Sequence, residues 1–128
     1  MTKPLTKILC IDDDPDILAI IEFSLTEVGN FEVLACNSGA DALLRAEAFK
    51  PDLFLIDVMM PKMSGPETLT ALHSLPVFES TPAVFLTANA QFSAYSEPHP
   101  PKMLGVLTKP FDPMQLSEKI HKLWAQYM

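Results

Sequence analysis

Five short runs of apolar residues recur along the chain, and each run is typical of a buried β-strand. They are rich in Ile, Leu, Val and Phe and are bounded by polar or turn-forming residues. We predict strands at residues 7–11, 31–36, 52–57, 83–87 and 105–108.

Most of the segments between these runs carry apolar residues at helical spacing. Asp14 as N-cap and Pro15 at the first helical position predict a helix that ends near Gly29. Asp112 and Pro113 predict the start of the last helix in the same way. The predicted helices cover residues 14–29, 39–50, 66–75 and 112–128.

Alternation of strands and helices predicts an α/β fold with a parallel sheet and helices on both of its faces. Five units in 128 residues fit a flavodoxin-like, doubly wound sheet with strand order 2-1-3-4-5. We find no internal repeat or linker. We therefore expect residues 1–128 to form a single domain with no effector domain.

The segment 90–103 should hold the fourth helix of this pattern, but three prolines lie in its second half. An interior proline costs a helix about 3 kcal/mol. We predict at most a turn or two of helix, followed by an irregular proline-rich loop.

Composition narrows the functional class. A formal charge of −7 without any Lys/Arg cluster argues against nonspecific binding to nucleic acid. No apolar run is long enough for a membrane span, and the first residues lack the apolar stretch of a signal peptide. Cys10 and Cys36 lie inside strand-like runs, where small buried hydrophobes are expected rather than a disulfide. We expect a cytoplasmic, soluble domain.

Polar residues stand at the ends of four predicted strands: Asp12 and Asp13, Asp57, Thr87 and Lys109. The carboxyl ends of parallel strands meet at one edge of the sheet, where ligands of such folds bind. Three clustered carboxylates call for a hard cation such as Mg²⁺. With a Lys and a hydroxyl beside them, they suit phosphoryl transfer.

Each motif has a bland interpretation when it is taken alone. "DDDP" is also a helix cap and turn, "MPKMSG" a turn-rich loop, and "TKPF" a turn. A Thr at a strand end is more often structural than functional. One chemically capable group at each of these strand ends is what favours a functional site.

The motifs together resemble the receiver domain of bacterial response regulators. "ILCIDDDPDI" is similar to the acidic first loop, and "DLFLIDVMMPKMSG" to the phosphoacceptor strand and its loop. "VFLTA" and "TKPFDPMQL" resemble the Thr strand and the Lys-Pro turn. The resemblance covers essentially the whole chain.

The resemblance implies a role for each site residue. Asp57 would accept a phosphoryl group from a phosphohistidine or a small donor such as acetyl phosphate. Asp13, Asp57 and the Met59 backbone carbonyl would ligate Mg²⁺, and Asp12 would act mainly through water. Lys109 would pair with Asp57 and then with the phosphoryl group.

The resemblance also implies that Thr87 would bond a phosphoryl oxygen in the activated state. Gly65 would allow a tight turn after the loop, and the Lys109–Pro110 bond would be cis. Partners would be a sensor histidine kinase or a histidine phosphotransfer protein, and a downstream protein. No direct contact with nucleic acid or membrane is expected, and the protein would be a monomer or weak dimer.

Three features depart from the family pattern. Val106 stands where receivers usually carry Tyr or Phe, so aromatic switching is not expected in its usual form. The fourth-helix region contains the prolines. Met59 and Asn89 occupy the pair of positions that tune dephosphorylation. We hypothesise that Met59 hinders attacking water and prolongs the phosphoform; the alternative is a flexible gap-filler.

Other residues carry weaker signals. His73, His99 and His121 lack metal-ligand spacing and are expected at the surface. Trp124 and Tyr127 in the last helix suit either a dimer or partner surface or core packing.

The resemblance implies a phosphorylation-controlled switch, which would assist its own phosphorylation and dephosphorylation without being an enzyme. Two other functions are alternatives to this switch. A haloacid dehalogenase-type phosphatase also uses a strand-end Asp, and Asp12-x-Asp14 fits that start. Its pattern then expects Thr or Val where this chain has Asp16. A degenerate receiver that serves only as an interaction module is the second rival, and the intact acidic, Thr and Lys positions argue against it.

Overall fold

The protein forms one five-stranded parallel sheet in the order β2-β1-β3-β4-β5, as predicted. The computed structural model describes residues 3–88 and 102–127. The strands are β1 (Lys7–Ile11), β2 (Glu32–Cys36), β3 (Leu53–Asp57), β4 (Ala83–Thr87) and β5 (Met103–Thr108). The last strand begins two residues earlier than predicted, because Met103 pairs with Ala83 ahead of a register shift.

The helices in the described residues are α1 (Pro15–Phe23), α2 (Gly39–Phe49), α3 (Gly65–His73) and α4 (Leu116–Tyr127). Side chains cap three of them locally. The Asp14 and Ser38 side chains accept hydrogen bonds from the first turns of α1 and α2. Ser64 and Glu67 form a capping box at the start of α3.

The first and last helices differ from the predicted ones. α1 ends at Phe23 and passes into a π-helical segment, Ser24–Val28, before Gly29. α4 begins at Leu116, not at Asp112 as predicted. The Asp112 side chain accepts a hydrogen bond from the Met114 N–H, but residues 113–115 form a turn.

In the part of the chain that the structure describes, each face of the sheet packs against two helices. α1 and α4 cover one apolar layer, which includes Cys10, Leu55 and Trp124. α2 and α3 cover the other, which includes Cys36 and Phe54. The two thiols therefore lie on opposite faces, and burial raises the pKa of both.

The weaker sequence signals separate in the structure. Trp124 is buried and its indole N–H donates to the Lys3 carbonyl (2.9 Å), whereas Tyr127 is exposed. His121 is exposed and stacks on Phe31, and His73 is half-buried with Nε2 2.9 Å from the Thr81 carbonyl. His99, Asn89 and most of the proline-rich segment lie outside the described residues. Over the described ranges, no helix is long and apolar enough to cross a membrane.

Candidate functional site

The site is built on two neighbouring strands that end side by side. Ile11 pairs with Ile56 across β1 and β3, so Asp12 follows β1 directly beside Asp57 at the end of β3. The Asp12 N–H donates to the Cys36 carbonyl (3.2 Å), which continues the ladder with β2 beyond the strand. Sheet pairing therefore holds both aspartates at the same edge.

Three carboxylates meet at this edge. Asp12, Asp13 and Asp57 each offer an oxygen, and these oxygens lie within 4.8 Å of one another. Asp12 is fully buried and Asp57 is 6% exposed, whereas Asp13 faces solvent. Asp12 Oδ1 accepts a hydrogen bond from the Asp14 N–H (2.9 Å), which orients its second oxygen toward the cluster.

Lys109 bridges the two buried carboxylates. Its Nζ lies 2.8 Å from Asp12 Oδ2 and 3.3 Å from Asp57 Oδ1. Its backbone N–H donates to the Thr87 carbonyl (2.7 Å), which fixes the end of β5 against β4. The resemblance implied a pair with Asp57; the structure adds a shorter contact with Asp12.

The electrostatics of the cluster are unbalanced. Burial and the neighbouring Asp12 charge raise the pKa of Asp57 to about 6, although Lys109 opposes this shift. Burial lowers the pKa of Lys109, but its hydrogen bond to Asp12 and the two carboxylate charges outweigh burial, so its pKa is raised. One ammonium cannot neutralise three ionised carboxylates. The cluster therefore keeps an excess of negative charge, which a divalent cation would neutralise.

The loop after β3 folds back so that its end contacts the backbone at the end of β3. The Gly65 N–H donates to the Val58 carbonyl (2.9 Å), and a Cβ at Gly65 would lie 2.4 Å from the Asp57 carbonyl oxygen. Glycine is therefore required for close approach rather than for a turn with positive φ. Within this loop, Lys62 is the residue in the left-handed region, with φ of 68°.

The remaining predicted positions lie at this edge, except Val106, which lies inside β5. Thr87 is fully buried at the end of β4, next to β3. The Lys109–Pro110 peptide bond is cis, as predicted. Met59 is 73% exposed in the loop after Asp57. Val106 is half-buried and pairs with Phe85 across β4 and β5.

Sequence reasoning did not foresee a cavity of about 410 Å³ beside the carboxylates. It lies between the loop after β2 and the loop after β3, and Asp13 lines it together with both loops. The Asn37–Ser38–Gly39 stretch carries no chemical signal of its own in the sequence. Only the apposition of the two loops reveals this space.

The class of protein follows from a parallel α/β sheet with an acidic cluster and a lysine at its carboxyl edge. Residues 8–121 match the family model of the response regulator receiver domain. The chain belongs to this family.

The chain is similar to a regulator and to solved receivers. It is 32% identical over 122 residues to the alkaline phosphatase synthesis transcriptional regulatory protein PhoP of Bacillus subtilis, covering 89% of this chain and 46% of PhoP. It thus spans about half the length of this relative. The chemotaxis response regulator CheY4 of Vibrio cholerae has a TM-score of 0.81 at 27% identity, covering 94% of this chain and 99% of CheY4.

The response regulator TrrA of Thermotoga maritima, solved in complex with Mg²⁺-BeF, has a TM-score of 0.77 at 26% identity, covering 93% of this chain and 99% of TrrA. Receiver domains bind Mg²⁺ at an acidic cluster, which corresponds here to Asp12, Asp13 and Asp57. The donor set fits that ion, because all three residues supply the oxygen ligands that Mg²⁺ prefers.

Proposed function

We propose that this protein is a phosphorylation-controlled switch that accepts a phosphoryl group on Asp57 from a phosphohistidine and then signals by docking a partner protein. The observation that carries the proposal is the placement of Asp57 beside two further carboxylates and the Lys109 ammonium. Such a site suits phosphoryl transfer, because catalysis of this reaction consists mainly of positioning the phosphoryl group and neutralising its charge.

In the proposed reaction an oxygen of Asp57 attacks phosphorus, and the bond from phosphorus to the leaving group breaks. The Lys109 ammonium, 3.3 Å from Asp57 before the reaction, then contacts a phosphoryl oxygen while it stays paired with Asp12. The Thr87 hydroxyl at the end of β4 is the proposed donor to the phosphoryl group. Bound Mg²⁺ would neutralise the phosphoryl oxygens from the side of Asp13 and the Met59 carbonyl.

We propose that the protein that donates the phosphoryl group docks on a surface formed by α1 and the loop before α4. Ile20, Phe23 and Met114 are 40%, 58% and 67% exposed. The Ser24 hydroxyl donates to the Pro113 carbonyl, so Phe23 and Met114 flank one hydrogen bond. No Lys or Arg occurs between residues 8 and 44, so a donor with an apolar centre and a basic rim would complement this surface.

The first experiment is intact mass after incubation with acetyl phosphate and Mg²⁺. Wild type is expected to gain one phosphoryl group, and Asp57→Ala none. Continuous release of phosphate without a labelled protein would indicate a phosphatase instead. Absence of labelling by acetyl phosphate and by a panel of purified histidine kinases would leave the interaction module as the function and refute the switch.

A second experiment separates donor docking from chemistry. Phe23→Ala should slow transfer from a phosphorylated histidine kinase or phosphotransfer protein by about tenfold, because a central aromatic anchor is lost. Labelling by acetyl phosphate should not change. Equal slowing with both donors would contradict a docking role for Phe23. Action without a fused effector domain, as a monomer or weak dimer in the cytoplasm, stays a prediction from the sequence.

A further inference from the structure

The cavity beside the carboxylates has the size and lining of a small-ligand site. Its volume of about 410 Å³ lies within the range of ligand pockets. The apolar part of its wall comes from Ala40, Met60, Pro61 and Met63. The remainder of the wall is polar and includes Asp13, Asn37 and Lys62.

One side of the cavity is held rigidly. At the start of α2, a Cβ on Gly39 would lie 2.3 Å from Thr68 Oγ1 and 2.7 Å from Met63 Sδ. Thr68 is fully buried, and its hydroxyl donates to the Ser64 carbonyl (2.8 Å) at the start of α3. The close contact between α2 and α3 therefore fixes this wall of the cavity.

The cavity is continuous with the phosphoryl site through Asp13. The Asp13 carboxylate lines the cavity and also lies within 4.8 Å of an Asp57 oxygen. In an in-line displacement, the leaving group stands on the side of phosphorus opposite the attacking oxygen. It therefore lies about one phosphoryl group away from Asp57, and Asp13, which lies within 4.8 Å of Asp57, lines the cavity.

We propose that this cavity receives the acyl chain of a small acyl phosphate, so that the protein selects among small phosphodonors by the size and apolarity of their leaving group. This proposal rests on the proposed function of Asp57. The bond from an Asp57 oxygen to phosphorus forms as the bond from phosphorus to the acyl oxygen breaks. The electron pair of the broken bond leaves with the carboxylate, so no proton is required.

Phosphorylation kinetics with acetyl and butyryl phosphate test the selection. Wild type should react about three- to tenfold faster with butyryl phosphate, because an open cavity buries part of two added methylene groups. Ala40→Phe fills the cavity from an exposed position and should bring the ratio to about one. Ala48→Phe is the matched control on the exposed side of the same helix and should keep the wild-type ratio. Circular dichroism checks the fold of each variant, and Ala40→Leu is a smaller filling variant.

A binding measurement tests the cavity without the reaction. The non-reacting analogue 2-oxopentylphosphonate, in which a methylene group replaces the bridging oxygen of butyryl phosphate, is added to protein labelled at the methionine methyl groups. The Met60 and Met63 signals should shift, and that of the exposed Met114, which does not line the cavity, should not.

The outcomes separate this proposal from the function on which it rests. A butyryl-to-acetyl ratio near one in wild type, an unchanged ratio in Ala40→Phe, or no shift of Met60 and Met63 would refute the cavity's role and leave Asp57 phosphorylation standing. Absence of labelling by every acyl phosphate would refute the cavity's role and the small-donor reaction together.

Discussion

At the scale of single residues, the site is defined by how each polar group is satisfied. Asp12 is fully buried, yet its two oxygens accept from the Asp14 N–H and the Lys109 ammonium. Among the described residues, Asp57 receives only the longer contact of 3.3 Å from Lys109, and its pKa is raised. Asp12 is thus the better anchored of the two, which supports the proposal that Asp57 is the carboxylate that reacts.

Met59 carries a prediction at this scale. Its side chain is apolar, 73% exposed and two residues after Asp57. Met59→Asn should shorten the half-life of the phosphoform about three- to tenfold, because an amide that hydrogen-bonds an attacking water lowers the barrier by about one hydrogen bond. The loss of phosphoryl mass with time after donor removal measures this. Met114→Asn, at a similarly exposed methionine, should leave the half-life unchanged. A half-life of Met59→Asn equal to that of wild type would reject the hypothesis.

At the scale of elements, helix ends show where local sequence and fold agree. Asp14, Ser38 and Ser64 cap their helices with side chains in the usual way. The end of α2 is less favourable, since Lys50 occupies the left-handed region with φ of 60° and ψ of 60°. A residue with a Cβ is strained in this conformation, whereas glycine is not.

Lys50→Gly should therefore stabilise the protein by about 0.5–1 kcal/mol. Urea denaturation monitored by circular dichroism measures the change in the free energy of unfolding. Lys50→Ala removes the same charge and keeps the Cβ, so it should give no such gain. If the two variants are equally stable, charge rather than backbone strain is the cause.

At the scale of the whole molecule, the two ends of the sheet have different tasks. The carboxyl end carries the acidic site, whereas the amino end is held together by Asp52. The Asp52 carboxylate accepts from the Thr6 N–H, the Thr6 hydroxyl and the Lys7 N–H, and it pairs with Lys3 at 2.9 Å. Burial raises the pKa of Asp52, but these partners outweigh burial, so its pKa is lowered.

The lowered pKa sets the pH dependence of this contribution. The carboxylate stabilises the fold above the pKa of about 3.9 of an unfolded Asp, and the contribution is lost as the pH falls through the lower folded value. Asp52→Asn should cost about 1–3 kcal/mol at pH 7 and progressively less below about pH 4. Urea denaturation at pH 7 and pH 3 measures this, with the exposed Glu79→Gln as control. A difference that is the same at both pH values would contradict this assignment.

The sequence by itself determined the strand order, most element positions and the residues that meet at the carboxyl edge. Buried parallel strands appear as continuous apolar runs, and caps such as Asp14 depend on neighbours only two or three residues away. The positions of Asp12, Asp57, Thr87 and Lys109 follow once the strands are placed, because parallel strands end at one edge.

Only the tertiary structure decided features that depend on contacts between distant segments. α4 begins at Leu116, after a turn whose Pro113 carbonyl accepts a hydrogen bond from the Ser24 hydroxyl. Gly65 is required by its approach to the Asp57 carbonyl. The pairing of Lys109 with Asp12 and the cavity beside Asp13 likewise join segments that are far apart in the chain. Local pattern carries no record of such contacts, because they arise from how the packed elements fit together.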